Sequence, residues 1–172
     1  MSETTTLDTL NAAAQTDFVA ALADIFEHSP WVAEAAVGAR PFVSTEGLLA
    51  AMVAVVLAAP QPKKLALIRA HPDLADRLAT AGDLTEASTA EQADAGLDQC
   101  SPDELKRFES LNDAYKAKFG FPFVKAVKGR SRAEILVAFA RRLENDEAAE
   151  FDEALAQIAE IARLRLTSLI DA

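Results

Sequence analysis

Helix-start signals recur along this chain and constrain its fold more than any other feature. A Ser followed by Pro, or by Glu three residues later, is typical of a helix N-terminus, where such side chains satisfy free backbone amides. These signals occur at Ser29, Ser88, Ser101 and Ser131. Each precedes a stretch in which apolar residues repeat every three to four positions, the spacing of one helix face. The pattern predicts a series of helices.

The most apolar of the predicted helices begins at Ser44 or Thr45 and runs to Ala59-Pro60 without a polar face. Such a helix is expected at the centre of a bundle. Because 51% of the residues are apolar and Ala and Leu dominate that set, helices are favoured over sheets. We therefore predict an all-α fold, a single-domain bundle of several helices around a central apolar helix.

The length of 172 residues is typical of one domain. Residues 1–16 are predicted to be a frayed N-terminal segment, because the first dozen are polar. Residues 17–172 are predicted to form the helical domain. Met1 to Leu10 lack the basic and then apolar pattern of a secretory signal, and the run Leu48 to Ala59 is shorter than the roughly 20 residues of a membrane span. A cytoplasmic protein without a membrane partner is expected.

The charge and the metal-binding side chains exclude several functions. The formal charge is -10, from 27 acidic and 17 basic residues, and no basic cluster longer than a pair interrupts it, so nucleic acid is a poor candidate partner. Cys100 is the only cysteine, and the two histidines are His28 and His71. Neither a disulfide within the chain nor a metal site is expected.

His71 is the first candidate for chemistry. Pro72 disfavours helical geometry at the residue before it, so the helix that begins at Pro62 should stop near Ala70 and leave His71 at a junction. An imidazole presented there to a cleft can exchange a proton near neutral pH. The alternative is a capping or surface histidine.

Ser88 and Glu91 also have two interpretations. In one, Ser88 caps a helix and Glu91 reaches back to its amide. In the other, the helix start offers amides and a carboxylate to an anionic or urea-like ligand. Two arginines, Arg163 and Arg165, lie in the apolar periodic part of the last helix, where each guanidinium group is expected to meet either a cleft or an ion-pair partner.

Several motifs in a fixed order resemble those of one family, the 2-oxo-4-hydroxy-4-carboxy-5-ureidoimidazoline (OHCU) decarboxylases. The similarity runs through nearly the whole chain from Phe18 onward. The motifs are His71-Pro72-Asp73-Leu74-Ala75, Ser88-x-x-Glu91-Gln92-x-x-Ala95-Gly96-Leu97, Phe108-x-x-Leu111-Asn112-x-x-Tyr115, Lys118-Phe119-Gly120-Phe121-Pro122-Phe123, Arg132-x-x-Ile135-Leu136, Arg142-Leu143-x-Asn145 and Ile161-Ala162-x-Leu164-Arg165-Leu166.

This resemblance implies a cofactor-free, all-helical enzyme that converts OHCU to (S)-allantoin and carbon dioxide, usually as a homodimer. By motif, His71 matches the catalytic histidine, and Glu91 is assigned with it to the centre of the chemistry. The resemblance also implies substrate contacts at Pro72, Ser88, Glu91, Gln92, Phe123, Val124, Lys125, Ala126, Val127 and Arg165. Lys125 departs from the family pattern, because an apolar residue is expected in that segment.

The chemistry agrees with a reaction that needs no cofactor. Loss of carbon dioxide leaves an electron pair on carbon, which the conjugated imine of this substrate can accept. In this hypothesis His71 handles the 4-hydroxyl proton or the incoming proton, and Glu91 binds N–H groups. Arg165 and the amides after Phe123 hold carbonyl oxygens or the carboxylate. The alternative is a helical domain that binds a small ligand or a partner without catalysis, since fold alone does not decide function.

Overall fold

The computed structural model describes residues 4–75 and 86–171, and helices dominate both ranges. The all-α prediction is confirmed. Two short strands, β1 (Thr5–Thr6) and β2 (Ile170–Asp171), pair in parallel, with Thr5 opposite Ile170. The helices of the described residues are α1 (Leu7–Ala12), α2 (Gln15–Leu22), α3 (Trp31–Ala36), α4 (Thr45–Ala58), α5 (Gln61–Arg69), α6 (Glu86–Asp94), α7 (Pro102–Phe119), α8 (Arg132–Arg142) and α9 (Glu147–Leu169), with 3-10 turns at Val37–Ala39 and Leu97–Gln99.

Most predicted helix starts are confirmed at the level of single hydrogen bonds. The Ser44 side chain accepts a bond from the Gly47 amide and caps α4. Ser101 and Glu104 form a reciprocal capping box at α7. Ser131 caps α8, although the Glu134 carboxylate contacts the Ser131 hydroxyl instead of completing the box through the backbone. These signals are reliable because they depend only on neighbouring residues.

The capping interpretation of Ser88 is wrong. Helix α6 begins at Glu86, so Ser88 lies inside its first turn and Glu91 one turn further along. Ser and Glu three residues apart adopt the same spacing within a helix as at its start. The sequence pattern alone therefore does not fix where this helix begins.

Contacts divide the chain into two compact units, which are described separately. The first comprises Met1–Ala70 and Ala159–Ala172. Within it α3 packs against α2 and α4. Helix α4 buries Leu48, Met52 and Val56, whereas Leu57 is 57% exposed. The apolar character of α4 thus exceeds what the core requires.

The N-terminal segment of the first unit contains helix α1, which side-chain hydrogen bonds hold. Leu10 in α1 is buried. The Asn11 side chain accepts a bond from the Phe42 amide and donates one to its carbonyl, both at 2.8 Å. The Arg40 guanidinium donates to the Ala13 carbonyl at 2.7 Å. These groups attach α1 to the rest of the first unit, and residues 1–3 lie outside the described structure. Fraying of residues 1–16 stays a prediction.

The second unit, His71–Ile158, contains an aromatic core around Tyr115. The Tyr115 ring meets Phe119, Phe121, Phe123 and Phe139 with ring centroids 4.5–5.9 Å apart. Helix α7 ends at Phe119, and the residue that follows it, Gly120, has a left-handed conformation with φ of 76°. Such a conformation suits a residue without a Cβ atom. The prediction of one domain over residues 17–172 stays a prediction.

No single helix within residues 4–75 and 86–171 has both the length and the apolar composition to cross a membrane. Helices α4 and α5 meet both criteria only when taken together, with a bend of 117° between them.

Candidate active site

The segment of residues 71–75 follows α5 and carries His71, which is 6% exposed. Its backbone is irregular, and Pro72 disfavours a helical conformation at His71. Ala75 has a left-handed conformation with φ of 57°, which is uncommon for a residue with a Cβ atom. The predicted junction at His71 is therefore confirmed, and it extends over the four residues that follow.

Two helices of the second unit hold this segment by side-chain hydrogen bonds. From α6, the Gln92 amide accepts a bond from the Ala75 N–H at 3.1 Å and donates one to the Asp73 carbonyl at 3.3 Å. From α7, the Asn112 side chain donates to the Leu74 carbonyl at 3.0 Å. The Lys116 ammonium group meets the Asp73 carboxylate at 2.6 Å. All three residues from 73 to 75 are thus fixed by α6 and α7.

The predicted site residues of α6 lie on one side of that helix. Ser88 is buried, and Glu91 and Gln92 are half-buried. Their spacing of three and four residues places them on neighbouring positions one turn apart. The structure brings Gln92 into direct contact with the segment that carries His71. A substrate contact of Gln92 stays a prediction, since the described bonds of its amide go to the backbone.

The second predicted stretch, residues 123–127, runs between α7 and α8 in irregular backbone. Arg142 of α8 donates to the Val124 carbonyl at 2.7 Å. The Ala126 N–H donates to the Gln157 side chain of α9 at 3.0 Å. The predicted role of the amides after Phe123 is to hold substrate oxygens, and the Ala126 amide already has this internal partner.

Arg142 belongs to a buried network that the sequence analysis did not assign to the site. Its guanidinium group donates to the Glu150 carboxylate at 2.9 Å and lies 4.3 Å from the centre of the Phe123 ring. The same carboxylate accepts bonds from Tyr115 at 2.5 Å and from Asn145 at 2.9 Å. The signal was present in the sequence, because Tyr115, Arg142 and Asn145 all belong to the ordered motifs.

The network shifts the pKa of both acidic groups in it, Tyr115 and Glu150. Burial raises the pKa of Tyr115, and its hydrogen bond to Glu150 raises that pKa further. Burial alone would raise the pKa of Glu150, but hydrogen bonds from Arg142, Tyr115 and Asn145 outweigh it and leave that pKa below its ordinary value. Glu150 is therefore a carboxylate at neutral pH, and Tyr115 is a neutral donor.

Lys125, the residue that departs from the family pattern, is half-buried in the same stretch. Burial lowers the pKa of Lys125, and the charges of Arg130 and Arg142 lower it further, while Glu153 opposes them.

The two arginines of the last helix both belong to the first unit and form ion pairs there. Arg165 is buried and donates to the Glu27 carboxylate at 2.9 Å and to the Asp24 carbonyl at 2.8 Å. Arg163 pairs with Glu160 on the exposed face of α9. The structural ion pair is thus observed for each arginine, and substrate binding by Arg165 stays a prediction.

Within the two described ranges, no group of three His, Cys, Asp or Glu side chains is arranged to hold a metal ion. The half-buried Cys100 thiol donates to the Leu97 carbonyl at 3.4 Å.

The described residues form an all-helical fold, and the motifs follow one another in a fixed order. Comparisons with known proteins identify the family that has these features. The family model described as OHCU decarboxylase matches residues 11–167. This chain belongs to the OHCU decarboxylase family.

Individual relatives agree with that membership. The chain is 45% identical over 161 residues to a 2-oxo-4-hydroxy-4-carboxy-5-ureidoimidazoline decarboxylase of Haloferax volcanii, covering 94% of each chain. It is 40% identical to the uric acid degradation bifunctional protein PucL of Bacillus subtilis, covering 96% of this chain and 33% of that protein. Among solved structures, an (S)-allantoin synthase matches with a TM-score of 0.79 and 33% identity, and the match spans 97% of this chain and 55% of that one.

Proposed function

We propose that this protein decarboxylates OHCU to (S)-allantoin and carbon dioxide in urate degradation. Membership of the OHCU decarboxylase family over residues 11–167 supports the reaction. The observation that carries the proposal is the attachment of the His71 segment to α6, the helix of Ser88 and Glu91, through the Gln92 side chain. A proton-exchanging imidazole and a carboxylate thus belong to two elements in direct contact.

In the proposed reaction, the bond between C4 of the ring and its carboxylate breaks and carbon dioxide leaves. The electron pair moves into the conjugated imine of the substrate, and a proton then completes the product. The chemistry requires no external electron acceptor, because the substrate contains its own. His71 exchanges the proton of the 4-hydroxyl group or supplies the incoming one. Glu91 accepts hydrogen bonds from N–H groups of the ring or the ureido chain and so fixes the orientation.

The remaining contacts follow from the same hypothesis. Ser88 and Gln92 extend the polar side of α6 toward the substrate, and Pro72 borders it beside His71. In the stretch from Phe123 to Val127, amides other than that of Ala126 donate to carbonyl oxygens of the substrate. Lys125 belongs to the same predicted substrate-contacting stretch.

Two further expectations concern the state of the protein in the cell. We propose a homodimer, as the family resemblance implies, and a cytoplasmic location. Light scattering on the purified protein measures its mass in solution, and a mass of one chain at micromolar concentration would contradict the dimer.

The reaction itself is tested by adding the protein to freshly generated hydrolysis product of 5-hydroxyisourate. OHCU decays unaided to racemic allantoin, so circular dichroism separates the enzymatic reaction from the background. We expect faster formation of a single enantiomer, unchanged by a metal chelator. Decay at the spontaneous rate to a racemic product would instead favour a non-catalytic helical domain that binds a small ligand or a partner.

A further inference from the structure

We propose that Gln92 and Asn112 together form an amide clamp, a pair of positioning residues that fixes His71 by holding the backbone of residues 73–75. The inference rests on the proposed function, because its readout is the decarboxylation. It adds Asn112, which lies outside the predicted site, and it gives Gln92 a second role beside any contact with the substrate.

The geometry of the clamp covers three consecutive residues. Gln92 binds the Asp73 carbonyl and the Ala75 N–H, and Asn112 binds the Leu74 carbonyl between them. The two amides come from different helices, α6 and α7. A backbone held from two sides over three residues has little freedom to rotate. The clamp therefore restricts the position of His71 at the start of the same segment.

The conformation of Ala75 indicates that the clamp imposes this shape on the chain. Its φ of 57° is unfavourable for alanine, because Cβ approaches the following carbonyl group. Such conformations persist where the surroundings determine them, and they concentrate at functional sites. The Ala75 N–H donates a hydrogen bond to the Gln92 side-chain oxygen at 3.1 Å. The clamp thus acts at the strained residue itself.

The burial of Asn112 is also unfavourable for folding stability. It is 6% exposed, and its Oδ1 atom has no hydrogen-bond partner within the described residues. The bond from Nδ2 to the Leu74 carbonyl fixes which way the amide faces, so Oδ1 cannot exchange places with the nitrogen. Burying a polar acceptor without a partner is unfavourable. A residue kept despite that cost is expected where positioning matters more than folding free energy.

The variant Asn112→Leu tests the clamp, because leucine branches at the same atom but has no N–H to donate. We expect kcat to fall roughly 10-fold or more, since small displacements of a reacting group are costly in rate. KM should change by less than about 2-fold, because the clamp acts through His71 and does not bind the substrate. The melting temperature should change little, since the lost bond is offset by removal of the buried acceptor. If leucine prevents folding, Asn112→Ala removes the same donor without adding bulk.

Asn11→Leu is the matched control. Asn11 also holds a backbone segment, with two bonds to Phe42 in the first unit, so its loss should lower the melting temperature and leave kcat unchanged. NMR of the imidazole groups adds a direct readout, because the chain has only two histidines. Asn112→Leu should shift or broaden the signals of His71 and leave those of His28 in place.

The possible results separate the clamp from the proposed function. An active wild-type protein with unimpaired kcat in both Asn112 variants would overturn the clamp alone. A raised KM with normal kcat would also overturn it, since Asn112 would then act on substrate binding. A wild-type protein that does not accelerate allantoin formation would overturn the proposed function and this inference with it.

Discussion

Two stretches of the second unit, residues 71–75 and 123–127, carry most of the predicted site residues. Chemically different groups hold the two stretches in place. Residues 73–75 are held by the neutral amides of Gln92 and Asn112 and by an ion pair of Asp73 with a partly exposed lysine. In residues 123–127, the Val124 carbonyl is held by Arg142, whose charge is buried against Glu150. The first stretch is thus held by neutral amides and a partly exposed ion pair, whereas the second has a buried charge in addition to the neutral bond from the Ala126 amide to Gln157.

This difference indicates which substitutions should change the reaction rate and which should change the folding stability. A neutral hydrogen bond contributes about 1 kcal/mol to folding, so a bond to residues 73–75 can be removed without unfolding the protein. Removal of one partner of a buried ion pair costs roughly 3–5 kcal/mol, because the other charge stays buried. Substitutions near His71 should therefore change rate before stability. Substitutions in the Arg142 network should do the reverse.

The largest effect on stability is expected from Arg142→Met. Methionine keeps an apolar stem near the Phe123 ring but leaves the buried Glu150 carboxylate without its cation. The free energy of unfolding, measured with urea, should fall by roughly 3–5 kcal/mol. Arg141→Met is the control, because Arg141 is exposed one residue earlier and its loss should cost less than about 0.5 kcal/mol. Equal effects of the two substitutions would remove the contrast between the stretches.

The largest effect on rate is expected from His71→Asn. Asparagine tolerates the junction before Pro72 but cannot exchange a proton near neutral pH. The rate of (S)-allantoin formation should fall roughly 10²-fold or more, the scale of general acid–base help, with a melting temperature close to that of the wild type. His28→Asn serves as the control, since His28 is exposed with φ of 47° and asparagine accepts that conformation. Undiminished stereoselective turnover in His71→Asn would exclude His71 from the chemistry.

A smaller loss of rate is expected from Glu91→Gln. If the carboxylate accepts substrate N–H groups, glutamine points a donor at a donor, which costs about 1–3 kcal/mol, or roughly 5- to 150-fold in rate. Stability should hardly change, because Glu91 lies within α6 and Glu and Gln have similar helix propensities. Glu109→Gln, on the exposed side of α7, should leave both quantities unchanged. Wild-type activity in Glu91→Gln would mean that the carboxylate does not bind the substrate.

How much the sequence predicts depends on the distance along the chain between the groups involved. The caps of α4, α7 and α8 are predictable because Ser44, Ser101 and Ser131 act on residues three positions away. The start of α6 is not predictable in this way, because the spacing of Ser88 and Glu91 fits two helix registers. Ser, Thr and Asp side chains identify a helix start only where the apolar pattern fixes the register.

The sequence predicts candidate site residues, whose roles stay predictions, but it does not predict the side chains that hold them in place. The motifs identified His71, Glu91 and Gln92 as neighbours in function, and the structure brings Gln92 onto the His71 segment. The bond from Asn112 to Leu74 spans 38 residues, and the partner of Arg165 is 138 residues away. Such pairs depend on tertiary packing, which no local pattern encodes. Asn112 was visible in the sequence only as a member of a motif.

The smallest change is expected from mild acid, which tests the comparison without a substitution in either stretch. Because the pKa of Glu150 is below its ordinary value of 4.5 in the folded protein, the carboxylate contributes stability that is fully present above that value. The contribution is lost as the pH falls through the lower pKa of the folded state. The stability difference between the wild type and Glu150→Gln, measured by urea unfolding, should therefore be constant from pH 7 to about 5 and shrink below about pH 4.5. Asn112→Leu should show no such dependence, since an amide does not titrate. A difference for Glu150→Gln that stays constant into acid would mean that the buried charge does not stabilise residues 123–127.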